Sequence, residues 1–169
     1  TQAVGEVTRW VVVDGQQRLT TLSLALAALR DHIRPEAPRD ADRIHRQFLV
    51  NEYQEGPGHF KIMPTQADRS DYELVIEGNG SEARGNIGEV YRVFRELLVG
   101  QYSLGQSARW RSLEQAITER LDLVAITADI TDNVHRIFQS LNNTGMSLTQ
   151  GDLLRNYIFM LLPSTGDEV

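Results

Sequence analysis

The sequence contains no cysteine. Disulfides are therefore excluded, and with them thiolate nucleophiles and cysteine-ligated zinc. Lysine is almost missing as well: of 17 cationic residues only Lys61 is a lysine, and 23 acidic residues bring the formal net charge to -6. That balance rules out a surface that is basic all over, although not a local basic cleft. No apolar run approaches the roughly 20 residues needed to cross a bilayer, and no charged-then-apolar signal segment opens the chain. The protein therefore reads as soluble and intracellular, with no membrane partner. Four histidines, His32, His45, His59 and His135, stand in no metal-ligand spacing. Neither a Walker-type glycine loop nor the paired histidines of a nuclease occur.

What is present is enough for one compact domain over residues 1–169, long enough to bury a sizeable core. The chain opens on Thr1 and closes soon after an apolar helix, and both ends read as cuts in something longer. The fold class expected is α/β, mixed and helix-rich. The β-branched run at residues 11–13 predicts a strand, followed through Asp14-Gly15 by an amphipathic helix with leucines at 19, 22, 26 and 29. Pro35 and Pro38 break the chain, and Asp40 or Asp42 is placed to cap a second helix through Ile44, Phe48 and Leu49. The Gly-Pro-Gly of residues 56–58 suggests a hairpin turn, Gly78 the end of a short helix, and the glycines of residues 78–86 an exposed, mobile loop. Two further helices follow, one through Ile87, Val90, Tyr91, Phe94 and Leu98 and one through Trp110, Leu113 and Ile117. A second main strand is expected at 121–130, then a helix over about 132–141 and a last helix opened by Thr149 and Asp152.

Two polar constellations stand out. The first is Asp14-Gly15-Gln16-Gln17-Arg18, at the start of the first long helix. A helix start carries partial positive charge and favours acidic residues, yet this one offers two amides and a cation. On a purely structural reading Asp14 or Gly15 caps the helix and the rest is solvated. On a functional reading the same residues form a phosphate cradle: Gly15 permits close backbone approach, Gln16 and Gln17 donate without repelling an anion, and Arg18 leans back toward the N-terminus. Asp14 then sits where it could hold a phosphate-bound divalent cation, or act as general base toward water; the sequence leaves both roles open. The second constellation, residues 138–156, holds Asn142, Asn143, Thr144, Asp152, Arg155 and Asn156 around a turn between two helices. Helix termination by the asparagines and capping by Thr149 explain part of it; Arg155 and Asn156 lie inside the last helix and could line a polar cleft.

With both on the page, the chain resembles the DGQQR-motif N-terminal domain of GmrSD-type, modification-dependent restriction endonucleases, the SspE phage-defence proteins among them. The resemblance rests on VVVDGQQRLTTL (11–22) and IFQSLNNTGMSLTQGDLLRNYI (137–158), with weaker agreement at FLVNEY (48–53) and LVAITADI (123–130). That family is similar in turn to the ParB and sulfiredoxin superfamily, which implies a strand-turn-helix core with added helices. The resemblance implies a nucleoside-triphosphate-binding and hydrolysing regulatory domain that couples hydrolysis to the sensing of modified DNA. Asp14, Gln17 and Arg18 would be catalytic, and Asp14 would hold the divalent cation, Mg²⁺. Gly15, Gln16, Gln17, Arg18, Asn142, Asn143 and Arg155 would bind the nucleotide, with GTP, UTP, CTP and ATP not distinguished. The implied partners are modified DNA, the C-terminal nuclease domain and a homo-oligomeric copy, in the bacterial cytoplasm. The family's upstream Pro-x-Tyr-Gln-Arg-x-Tyr-x-Trp segment is not supplied by VTRW (7–10), and its nuclease half is absent, so a fragment without nuclease activity of its own is expected. A non-hydrolysing DNA-binding module using the same cradle is the alternative.

Overall fold

A computed structural model describes residues 10–12, 14–101 and 107–127. The chain divides into two units, Thr1–Leu123 and Val124–Val169. In the second unit the described residues, 124–127, have no secondary structure. The first unit is built from helices α1 (Gln16–Ile33), α2 (Pro38–Ile44), α3 (Arg69–Ile76), α4 (Gly85–Gln101) and α5 (Ser107–Glu119).

Helix α1 is the centre, packing against each of the other four. Its composition explains both its stability and its position. Leucine and alanine, the strongest helix formers, fill its C-terminal half, and Leu24, Leu26, Ala27, Ala28, Leu29 and Ile33 are all buried. The first turns are different: Gln16, Gln17, Arg18 and Thr21 face water. One helix thus runs from an open end into the middle of the core. Around it gather Ala41, Ile44, Leu49, Val50, Tyr72, Val75, Ile76, Ile87, Tyr91, Leu98 and Trp110.

The expected helices through Tyr91 and through Trp110 form, and α3 ends as expected at Gly78, whose φ of 90° lets Asn79 N–H reach back to Leu74 C=O at 2.8 Å. Three expectations need correction. Helix α2 is capped by neither Asp40 nor Asp42; it begins at Pro38, whose fixed φ suits a first turn, leaving the two aspartates to pair with Arg43, Arg111 and Arg34. The 78–86 segment is not simply exposed, because Gly80 and Ala83 are buried. A Cβ on Gly80 would fall 2.5 Å from a Tyr91 ring carbon, so only glycine permits this approach.

The third correction concerns strands. Residues 11 and 12 are not in a strand, and residues 121–127 are likewise without secondary structure and exposed. No named strand exists among the described residues, so the helix-rich part of the expectation holds and the strand-turn-helix core does not appear there. Val11 is 91% exposed. β-branched residues favour a strand only where another strand and a packed face receive them, and Val11 has neither. Residues 13 and 128–130, the helix expected at 132–141, and the last helix lie outside the described residues.

Between α2 and α3 the chain first makes a π-helical turn, His45–Leu49, in which Val50 N–H donates to His45 C=O at 3.1 Å. It then turns through Gly56–Gly58, a short 3₁₀ turn, so that Val50 and Phe60 form an antiparallel bridge. The hairpin suggested by Gly-Pro-Gly is therefore real but one bridge long. Asn51 holds it by donating from Nδ2 to Gly58 C=O at 2.9 Å.

Candidate functional site

The start of α1 is built on Gly15. It is the N-cap residue, held at φ 88°, ψ 4°, a left-handed conformation that favours glycine. No side chain caps the helix. The first intrahelical bond, Leu19 N–H to Gly15 C=O at 3.0 Å, leaves the N–H groups of residues 16–18 without partners on the helix itself. Asp14 folds back: its Oδ1 accepts from Gly15 N–H at 2.7 Å, and its Oδ2 accepts from Arg18 Nη2 at 2.9 Å. A Cβ on Gly15 would meet the Arg18 guanidinium at 3.4 Å, so the three residues form one tight cluster. The unusual cation of the first turn thus has a resident anion, supplied four residues earlier.

That ion pair is open to solvent, with 68% of the Arg18 and 37% of the Asp14 side chain exposed. Exposed pairs of this kind contribute about 0–1 kcal/mol, so a better anion can displace the carboxylate. Both Asp14 oxygens are engaged, and a cation at Asp14 requires Arg18 to release Oδ2. With Arg18 turned to another anion, Asp14 suits a divalent ion that brings most of its oxygen ligands from phosphate and water. Among the described residues no group of three His, Asp or Glu side chains could hold a metal by itself.

Gln16 and Gln17 diverge. Gln16 donates from Nε2 to Val12 C=O at 2.7 Å and lines a cavity of about 500 Å³; Gln17 is exposed. The cavity lies between the Gln16, Leu19 and Thr20 side of α1 and the segment from Asn51 to Pro64, with Trp10, Val12 and Arg69 also in its wall. The structure therefore brings Asp14, Gly15 and Arg18 together, and puts Gln16 on the adjoining cavity. Asn142, Asn143 and Arg155 lie outside the described residues, as does His135.

Sequence reasoning missed Asn51, Phe60, Lys61 and Arg69. One signal was available, since Lys61 is the only lysine among 17 cations. Its Nζ donates to Asn51 Oδ1 at 3.1 Å. Arg69 Nε is buried without a hydrogen-bond partner, a deficit worth about 1–3 kcal/mol.

Sequence reasoning also missed the polar network at the other end of α1. Arg30, 1% exposed, clasps Asp31 through Nε at 2.8 Å and Nη2 at 2.9 Å. The same guanidinium donates to Val75 C=O at 2.9 Å and to Ile76 C=O, closing the C-terminus of α3. Its Nη1 also faces His45 Nδ1 at 3.0 Å; a guanidinium only donates, so this imidazole is neutral with its proton on Nε2. Burial, and then the Arg30 charge, lower the His45 pKa. Tyr91 donates to Asp31 Oδ2 at 2.9 Å, and burial together with that carboxylate pushes its pKa up to about 12. Every member of this network is satisfied from within, which makes it a fastening and not a binding site.

Compared with known proteins, the chain matches the GmrSD restriction endonuclease N-terminal domain family over residues 1–159. It belongs to that family. Membership implies a role in restriction, with DNA as a partner and a C-terminal nuclease domain as this domain's companion. No curated protein and no solved structure matches it. Among the described residues no helix is long and apolar enough to cross a membrane.

Proposed function

We propose that this domain binds and hydrolyses a nucleoside triphosphate at the start of α1 and uses that cycle to couple the sensing of modified DNA to the nuclease domain. The observation that carries the reading is the uncapped, Gly15-initiated start of α1 with an exchangeable Asp14–Arg18 pair across it. Backbone N–H groups, the positive end of the helix and a guanidinium converge there, which is the chemistry a phosphate requires. A phosphate takes Arg18 from Asp14, and the freed carboxylate becomes available either to hold a divalent cation, Mg²⁺, or to accept a proton from water. The cation, when bound, neutralises charge on the phosphate oxygens. Gln17, exposed on the same turn, is placed to orient a water. Asn142, Asn143 and Arg155 are proposed as further nucleotide ligands on the family resemblance alone.

The test is titration of GTP, UTP, CTP and ATP with Mg²⁺ into the chain and its Arg18→Ala variant, with phosphate release measured in parallel. Losing one charge-assisted contact weakens binding by about 1.5–3 kcal/mol. Equal affinity of parent and variant overturns the reading. Salt-dependent DNA binding without nucleotide turnover favours instead a module that holds a DNA phosphate in the same cradle.

A further inference from the structure

The cavity beside α1 is of a size that takes one small ligand, at about 500 Å³. Its wall combines an apolar surface, Phe60 and Ile62, with the amide of Asn51 and two cations, Lys61 and Arg69. The cations are the informative part. Arg18, Arg30, Arg34, Arg43, Arg46 and Arg111 each hold a carboxylate, whereas among the described residues Lys61 and Arg69 hold none. Arg69 in addition keeps a buried Nε with no acceptor. Acidic residues outnumber basic ones by 23 to 17 in this chain, so two unpaired cations on one wall call for an anionic or acceptor-rich occupant. Gln16 lines the same space and belongs to the turn that opens α1, so an occupant lies next to the phosphate cradle.

We propose that this cavity is the nucleoside pocket of the nucleotide site, an inference that rests on the nucleotide reading above. A base presents apolar faces and a polar edge. Phe60 and Ile62 offer the surface for a face, Arg69 offers the edge a donor, and Lys61, exposed at the rim, carries charge toward the phosphates. The pocket thereby accounts for recognition of a nucleotide over a bare polyphosphate, which the cradle alone does not.

The test compares inorganic tripolyphosphate with the four nucleoside triphosphates, each with Mg²⁺, on the whole chain. Two variants are used: Arg69→Gln removes the donor, and Thr20→Trp fills the cavity from α1. Parental melting temperature selects variants that fold, and the two substitutions lie on different elements, so one can fail without losing the test. The expected result is nucleotide binding about tenfold weaker in either variant with tripolyphosphate affinity unchanged. Unchanged nucleotide affinity in the folded variants overturns the pocket while leaving the cradle standing. Equal loss of both ligands overturns it too, because the cavity then serves phosphate alone. If neither ligand binds the parent chain, the nucleotide reading falls first and the pocket with it.

Discussion

Helix α1 carries an Arg–Asp ion pair at each end, and the surroundings of the two differ completely. Arg18 and Asp14 meet in water across the helix start. Arg30 and Asp31 meet inside the protein, with the carbonyls of Val75 and Ile76, the His45 ring and the Tyr91 hydroxyl completing the shell. Chemically the pairs are the same; energetically they are opposites. The buried pair cannot exchange partners, because any group it releases is stranded away from water. The exposed pair can, because solvent or a ligand replaces whatever is lost. A protein that needs one end of its central helix to accept a ligand gains by sealing the other.

The largest way to test that contrast is Arg30→Met. It strands the Asp31 carboxylate and the α3 carbonyls together, and the expected loss in urea unfolding free energy is about 3–5 kcal/mol. A loss below about 1 kcal/mol would mean the network is not the fastening described. Next is Tyr91→Phe, which deletes one hydrogen bond to the same carboxylate and is expected to cost about 1.5–3 kcal/mol by the same measurement.

A smaller effect depends on pH. The folded protein lowers the His45 pKa, through burial first and the Arg30 charge second. The unfolded chain therefore takes up this proton more readily than the folded one. The contribution is level above the unfolded value of about 6.5 and is lost as pH falls below it. Unfolding free energy measured from pH 7.5 to 5 should decline more steeply in the parent than in His45→Gln; parallel curves would remove His45 from the network's energetics. Smallest of all is Arg18→Ala, whose melting curve is expected to shift by no more than about 0.5 kcal/mol while ligand affinity falls. A destabilisation as large as that of Tyr91→Phe would erase the contrast between the two ends.

The sequence made some of this legible and hid the rest for identifiable reasons. Periodicity located α1, α4 and α5 because their buried leucines, Tyr91 and Trp110 recur at helical spacing, and Gly78 marked the end of α3 because a left-handed residue there has a narrow chemical solution. The 11–13 strand failed because strand propensity is a promise about neighbours, and the valines have no partner strand among the described residues. Arg30 was invisible as a core residue since a charge on an apolar face is ordinarily solvated; what buries it is two carbonyls from a helix 45 residues away. The motif at residues 14–18 was found, but the orientation of its parts was not. Composition gave no sign that Asp14 already supplies the anion for Arg18, or that Gln16 turns to a different wall. The cavity residues come from three separate segments, and only a fold brings Thr20, Lys61 and Arg69 to one place.

The π-helical turn at His45–Leu49 makes the cavity sensitive to chain length in a way its surface loops are not. It contains one residue more than an α-helical turn would use. Excising an exposed residue there, Gln47 for example, would let the turn relax to ordinary helical spacing and rotate everything after it by about 100° about the α2 axis. Val50 would swing off its bridge with Phe60, and the whole wall from Asn51 to Pro64 would face elsewhere. A residue added at the exposed tip, beside Glu55, would merely lengthen a loop. The bearing of that wall is set by a single surplus residue, so this stretch can tolerate substitution freely and deletion hardly at all: a frameshift in space where the reading frame is intact.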